Sequence, residues 1–164
     1  KTMKRLALPL CLAIGLLGPG VHAEGGAIVP PIEHAATLKE CGACHLAFPP
    51  QMLPARSWKK LMGDLANHFG ESASLPEAAR AEITAYLAAN AGDAAIAKNG
   101  RRFLRGIDAA ETPLRITETP FWQGVHEEVP NPYFTSAKVK TPANCAACHR
   151  AAAKGVFGEG GEEE

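Results

Sequence analysis

The chain has 164 residues with 17 basic and 17 acidic side chains, so its formal charge is zero, and only 6% of its residues are aromatic. A chain of this length forms one domain or two small ones, and with so few large side chains its own apolar core is thin. Removing the leader described next takes away Lys1, Lys4 and Arg5 and leaves 14 basic against 17 acidic residues, a net of −3. That balance disfavours a nucleic-acid partner, since such binding rests on neutralising phosphates with Lys and Arg.

Residues 1–23 read as a secretory signal. Met3-Lys4-Arg5 is a positive start, Leu6 to Leu17 an apolar run, and Val21-His22-Ala23 a small-residue cleavage site. The run is shorter than the roughly 20 residues a spanning helix needs. Cys11 leaves with the leader, and the mature chain is expected to start near Glu24. No second long apolar stretch follows, so the expected location is the periplasm, in soluble form.

Glu24 to Ile32 contains Gly and Pro and reads as a loose lead-in. Thr37 and Glu40 fit a capping box, which starts a short helix carrying Cys41-Gly42-Ala43-Cys44-His45 on its first turns. Phe48-Pro49-Pro50 stops it. C-x-x-C-H is the c-type haem attachment pattern: two thiols bond two neighbouring vinyl groups on one porphyrin edge, and the adjacent His ligates the iron. His34, just upstream, reads as a solvated histidine, with iron ligation as its sharper alternative.

Pro54 to Phe69 reads as one helix with Ser57 as N-cap and Gly70 as its stop. Trp58, Leu61, Met62, Leu65 and Phe69 fall on one face. His68 belongs to that stripe, near enough in sequence to be the distal ligand of the first haem. Met62 is the rival ligand, or a flexible filler against the ring, and Met52 in its Pro-rich loop is a weaker third. Ser74 to Glu77 is a second capping box, starting a helix through Ala79, Ile83, Tyr86 and Leu87 to about Asn90, with Gly92 beyond. These elements make a three-helix unit over residues 24–92.

Asp93 to Arg105 reads as one more short helix, with Lys98, Arg101, Arg102 and Arg105 forming a solvated face or, less simply, a docking or propionate-pairing cluster. Ile107 to Lys140 holds Pro113, Pro120, Pro130 and Pro132 and is expected to be extended segments and turns. His126 lies there, the expected distal ligand of a second haem, with His34 as the alternative. Thr141 or Asn144 caps a short helix bearing Cys145-Ala146-Ala147-Cys148-His149, which completes a second unit over 93–158. The Gly- and Glu-rich sequence from Lys154 onward, residues 159–164 above all, is expected to be disordered.

Two C-x-x-C-H copies use every cysteine outside the leader. Two disulfides would leave each following His unexplained, a zinc ribbon spaces its pairs by roughly 15–20 residues, and a thioredoxin-like motif needs a βαβ context. Two covalent haems therefore remain. Burying several hundred Å² of each porphyrin at ~25 cal/mol per Å² is worth on the order of 10 kcal/mol as an upper bound, so the haems are expected to serve as core.

The chain resembles the small dihaem cytochromes c of bacterial periplasms. The resemblance rests on Glu40-Cys41-Gly42-Ala43-Cys44-His45, Pro54-Ala55-Arg56-Ser57-Trp58, Asn67-His68-Phe69-Gly70 and Ala143-Asn144-Cys145-Ala146-Ala147-Cys148-His149-Arg150, and it covers most of residues 38–158. It implies a mainly α fold, with an N-terminal domain similar to class I cytochromes c and a loop-rich C-terminal haem domain. It also implies two low-spin, bis-His haems of low potential, with His45 and His68 at the first and His149 at the second. The implied partners are a high-spin, oxygen-binding monohaem cytochrome c as acceptor and a membrane cytochrome b as donor. The expected function is electron transfer rather than catalysis; the alternatives are a dihaem peroxidase or reductase with one open iron, or a gas-binding haem sensor with one labile ligand.

Overall fold

A computed structural model of the protein describes residues 27–97 and 99–158. The expected leader, and the expected disorder of 159–164, lie outside the described residues. The architecture is mainly helical and rich in loops, with six short helices and one two-stranded ribbon among the described residues.

Strand β1 (Ala27–Ile28) is followed by α1 (Ala35–Cys41). The N-cap of α1 is His34, whose Nδ1 accepts from the Thr37 amide at 3.3 Å and pairs with the Thr37 hydroxyl at 2.9 Å. An imidazole nitrogen thus does the work usually given to Ser or Asp. The expected Thr37–Glu40 box is not formed, because Thr37 is buried inside the first turn and Glu40 accepts from Lys39. The first motif consequently begins at the C-terminal end of α1, not on its first turns. Gly42 is required there, since a Cβ would overlap the Leu38 carbonyl oxygen.

Helix α2 (Ala55–Gly63) is shorter than expected. Ser57 lies inside it and is fully buried; the N-terminal acceptor is instead the Asp93 carboxylate, which takes the Ala55 amide at 2.8 Å from 38 residues away. Gly63 and Asp64 are weak helix formers, and Asp64 leaves the helical region with φ −138°. A 3₁₀ turn over Leu65–Asn67 follows, and Phe69 adopts a left-handed φ of 55°. His68 is therefore on a turn and not on the helical stripe.

Helix α3 (Glu77–Ala89) starts after Pro76 with no side-chain cap, because the Ser74 hydroxyl pairs with Ser72. Its Ile83 and Leu87 join Leu53, Trp58, Met62, Leu65 and Ala91 in the larger core cluster. The Trp58 indole donates to the Pro50 carbonyl at 2.8 Å, tying α2 to the 3₁₀ turn Pro50–Met52. Met52 is buried in the second cluster with Ala27, Val29 and Phe103, so it is a core residue.

The Ala-rich stretch after Gly92 is mostly turns, and helix α4 spans only Gly100–Phe103. Chain reversal explains this: a Cβ on Gly100 would lie 2.6 Å from the Gly92 backbone, a contact one continuous helix would never make. Nor is 107–140 merely extended. Thr119 accepts from the Trp122 amide and donates to the Ile116 carbonyl, and with Pro120 at the first position it starts α5 (Pro120–Val125). Helix α6 (Asn131–Phe134) again has Pro in its first turn. The second motif sits on a 3₁₀ turn, Cys145–Ala147, that neither Thr141 nor Asn144 caps by a side chain. Strand β2 (Val156–Phe157) then pairs antiparallel with β1, and the Val29 amide donates to the Gly155 carbonyl at 2.9 Å. The sequence from Lys154 to Gly158 is therefore ordered, against the expectation, because it closes onto the chain's first described residues. Among the described residues no helix is long and apolar enough to cross a membrane.

Candidate haem centres

All four cysteines of the two motifs are free thiols, Cys41 and Cys145 half-buried, Cys44 and Cys148 exposed. Neither disulfide alternative is formed. Burial pushes the Cys145 thiol up to about 11, and Cys41 is raised by burial and then by the Glu40 carboxylate. Among the described residues no three Cys, His, Asp or Glu side chains gather as a metal cluster, so no zinc-ribbon geometry is assembled.

The exit of α1 delivers His45, whose Nδ1 lies 2.7 Å from the Leu46 carbonyl and whose ring stacks on Phe48 at 4.9 Å. Facing it is His68, with ring centres 6.2 Å apart and planes 17° from parallel. The turn holding His68 is closed by the His68 amide donating to the Glu71 carbonyl at 2.8 Å, and by left-handed Phe69 and Gly70. Burial, then the nearby His45 and Arg115, lower the His68 pKa. Its Nδ1 is buried and has no hydrogen-bond partner. The Arg115 guanidinium, brought from the C-terminal half, lies 3.9 Å over the Phe69 ring.

The second motif repeats this pairing with different supports. His149 is held by its amide donating to the Cys145 carbonyl at 2.8 Å, and its ring meets Phe157 edge-on at 5.8 Å. Opposite stands His126, at the end of α5, with ring centres 6.0 Å apart and planes crossed at 80°. The His126 Nδ1 bonds the Trp122 carbonyl at 2.8 Å and its ring stacks on Trp122 at 4.3 Å. Burial lowers the His126 pKa; His149 adds to this and the Trp122 carbonyl opposes it.

These separations test whether a metal fits. With metal–imidazole bonds of about 2 Å and ring centres about 1 Å further out, one ion holds two imidazole centres roughly 6 Å apart. Both pairs meet that condition. His34 does not join either pair: it stacks on Tyr86 at 4.4 Å and pairs with Glu82 at 3.2 Å. Met62 lies in the larger core cluster. A cavity of about 320 Å³, lined by Leu38, Gly42, His45, Ala146, Ala152 and Gly155, touches both motifs.

The model of the dihaem cytochrome c family matches residues 37–157. The chain belongs to that family. A diheme cytochrome c from Rhodobacter sphaeroides is 46% identical with a TM-score of 0.72, over 79% of this chain and 100% of its own. A second structure, of DHC purified from Rhodobacter sphaeroides, is 43% identical with a TM-score of 0.64, over 77% and 99%. The diheme cytochrome sb-DHC from Shewanella baltica OS155 is 34% identical with a TM-score of 0.61, over 75% and 85%. No curated protein matches the sequence. Membership implies two c-type haems, and the pairs Cys41/Cys44 and Cys145/Cys148 fit their attachment.

Sequence reasoning missed the aromatic supports, Phe48, Trp122, Phe134 and Phe157, and the cation Arg115. Only Trp122 carried a signal, lying four residues before His126 where side chains on one helical face meet.

Proposed function

We propose that the protein is a periplasmic electron carrier, exported by residues 1–23, in which each of two haems is clamped between two imidazoles. His45 and His68 serve the haem attached through Cys41 and Cys44. His149 and His126 serve the haem attached through Cys145 and Cys148. The observation that carries this reading is the presence of two opposed imidazole pairs, at 6.2 and 6.0 Å, each including the His of a C-x-x-C-H motif. Residues 24–92 and 93–158 form its two haem units.

When bound, haem supplies one-electron chemistry. What the chain contributes is ligation, orientation and exclusion of water. His45 and His126 each engage a backbone carbonyl through Nδ1, which assigns the proton to that nitrogen and leaves Nε2 free to ligate. Cys41, Cys44, Cys145 and Cys148 anchor the porphyrin edges as thioethers. Held by His45 and His68, and by His126 and His149, the two irons would be left without an open site for a substrate, which supports electron transfer over catalysis. Its partners are a high-spin monohaem cytochrome c and a membrane b-type cytochrome, a reading supported by the resemblance quoted above.

His68→Ala and His126→Ala decide the matter. Each variant is expected to convert one haem to a high-spin form that binds CO in the ferrous state, while the wild type stays low-spin and inert to CO. CO binding by the ferrous wild type would refute the bis-His reading, and an unchanged spectrum in either variant would remove that His from the ligands.

A further inference from the structure

The two imidazole pairs differ in one respect that distance alone hides. His45 and His68 are 17° from parallel, whereas His126 and His149 are crossed at 80°. We propose that Trp122 is a positioning residue that holds His126 crossed against His149, making the second haem electronically distinct from the first. This rests on the bis-His reading.

The plane of His126 is fixed from several sides. Its Nδ1 bonds the Trp122 carbonyl, and its ring lies 22° from parallel to the indole at 4.3 Å. Phe134 backs the indole at 5.2 Å and meets His126 edge-on at 6.1 Å. Trp122 in turn is held by α5, which is anchored through buried Thr119 and through Phe121 packed on Phe103 at 5.0 Å. His149 takes its own plane from Phe157 and the β1–β2 seam. The backbone bond fixes where the His126 nitrogen sits, but a single bond leaves the ring free to pivot about it. The indole face removes that freedom.

Ring planes matter because each imidazole donates π density into one orbital of the iron's upper d pair. Parallel rings address the same orbital and split the pair; crossed rings raise both and leave it nearly degenerate. A ferric low-spin ion with a split pair gives a rhombic resonance, and one with a degenerate pair gives a strongly anisotropic one. Ferric iron, with one hole, gains from the splitting, while ferrous iron fills both orbitals and gains nothing. Crossing therefore favours the ferrous state at the second haem.

The test is electron paramagnetic resonance of the ferric holoprotein, with haem content counted in every variant. The wild type is expected to show one rhombic and one strongly anisotropic low-spin signal. Trp122→Ala should abolish the anisotropic signal, leave the rhombic one unchanged and lower one midpoint potential; Trp122→Phe, which keeps an aromatic face, should restore both. Where the Ala variant loses a haem, Trp122→Leu takes its place. Two rhombic signals in the wild type, or an anisotropic signal that survives Trp122→Ala and Trp122→Leu, overturn the proposal while leaving bis-His ligation standing. A high-spin wild type instead refutes the ligation itself.

Discussion

Gly155→Ala should be the most damaging single methyl in the C-terminal half. Gly155 has φ +79°, and a Cβ there would overlap the Val29 carbonyl oxygen. Holding Ala in the left-handed region costs about 1–2 kcal/mol. The overlap is with backbone and cannot be relieved by a rotamer change, so the turn must lift away from β1. Lifting breaks the Val29 amide bond to Gly155 and loosens the pairs Ala27–Phe157 and Ile28–Val156. At roughly 0.5–1.5 kcal/mol net per hydrogen bond, the whole change costs about 2–4 kcal/mol. For a chain of this size that lowers Tm by roughly 5–15 °C. Phe157, which supports the His149 ring, moves with the turn. Thermal unfolding of the haem-loaded protein measures the effect, with Gly63→Ala as control: its Cβ meets nothing within 4 Å, and Ala in place of helical Gly gains about 0.5–1 kcal/mol. A Gly155→Ala protein melting within ~2 °C of wild type, or below neither wild type nor Gly63→Ala, refutes the seam argument.

Trp58→Phe removes the indole donor and leaves the Pro50 carbonyl with only the longer bond from the Leu53 amide at 3.4 Å; a loss of about 0.5–1.5 kcal/mol is expected in denaturant titration. Replacing all four motif cysteines by Ser removes the covalent porphyrin anchors. Such a chain should lack a cooperative thermal transition, and a sharp one in calorimetry would show that the haems are not needed as core. Arg115→Gln removes the cation over Phe69 beside His68. One midpoint potential should fall and the second stay put, because a nearby positive charge favours the less positive ferrous iron.

What the sequence made legible was chemistry confined to five consecutive residues. C-x-x-C-H is dictated by the spacing of two vinyl groups and needs no knowledge of the fold. The α3 stripe was equally readable, since Ile83 and Leu87 repeat at helical spacing and bury accordingly. His68 was singled out on an argument the structure replaces: α2 ends at Gly63, and a 3₁₀ turn with left-handed Phe69 turns the imidazole toward His45. The Thr119-Pro120 pair at α5 was in plain view, and the density of prolines around it hid the helix start. Other features were out of reach in principle. Asp93 supplies an acceptor to Ala55 from 38 residues away, and Phe157, which meets His149, is placed by pairing with Ala27 at the other end of the described chain, contacts that no local pattern encodes. A two-residue strand shows no alternation at all, so β1 and β2 were invisible until they met.

The positions of the four histidines suggest why so little core suffices. His45 and His68 are separated by 23 positions, as are His126 and His149, so under the proposed bis-His ligation each iron would close a loop of that length. By analogy with a disulfide of similar span, closing such a loop removes about 3 kcal/mol of unfolded-state entropy. The two loops are not equally dependent on that contribution. The first contains α2, whose Trp58 and Met62 are buried in the larger cluster. The second contains α6, which buries none of its residues, and among 127–148 only Val139 is buried. Packing can hold the first loop when its clamp is broken; the second has little besides the clamp and the stack of Trp122 and Phe134. Amide exchange should therefore rise sharply across 127–148 in His126→Ala and only modestly across 46–67 in His68→Ala. Equal loosening of both loops would mean that the iron, and not the helical core, carries the N-terminal unit as well.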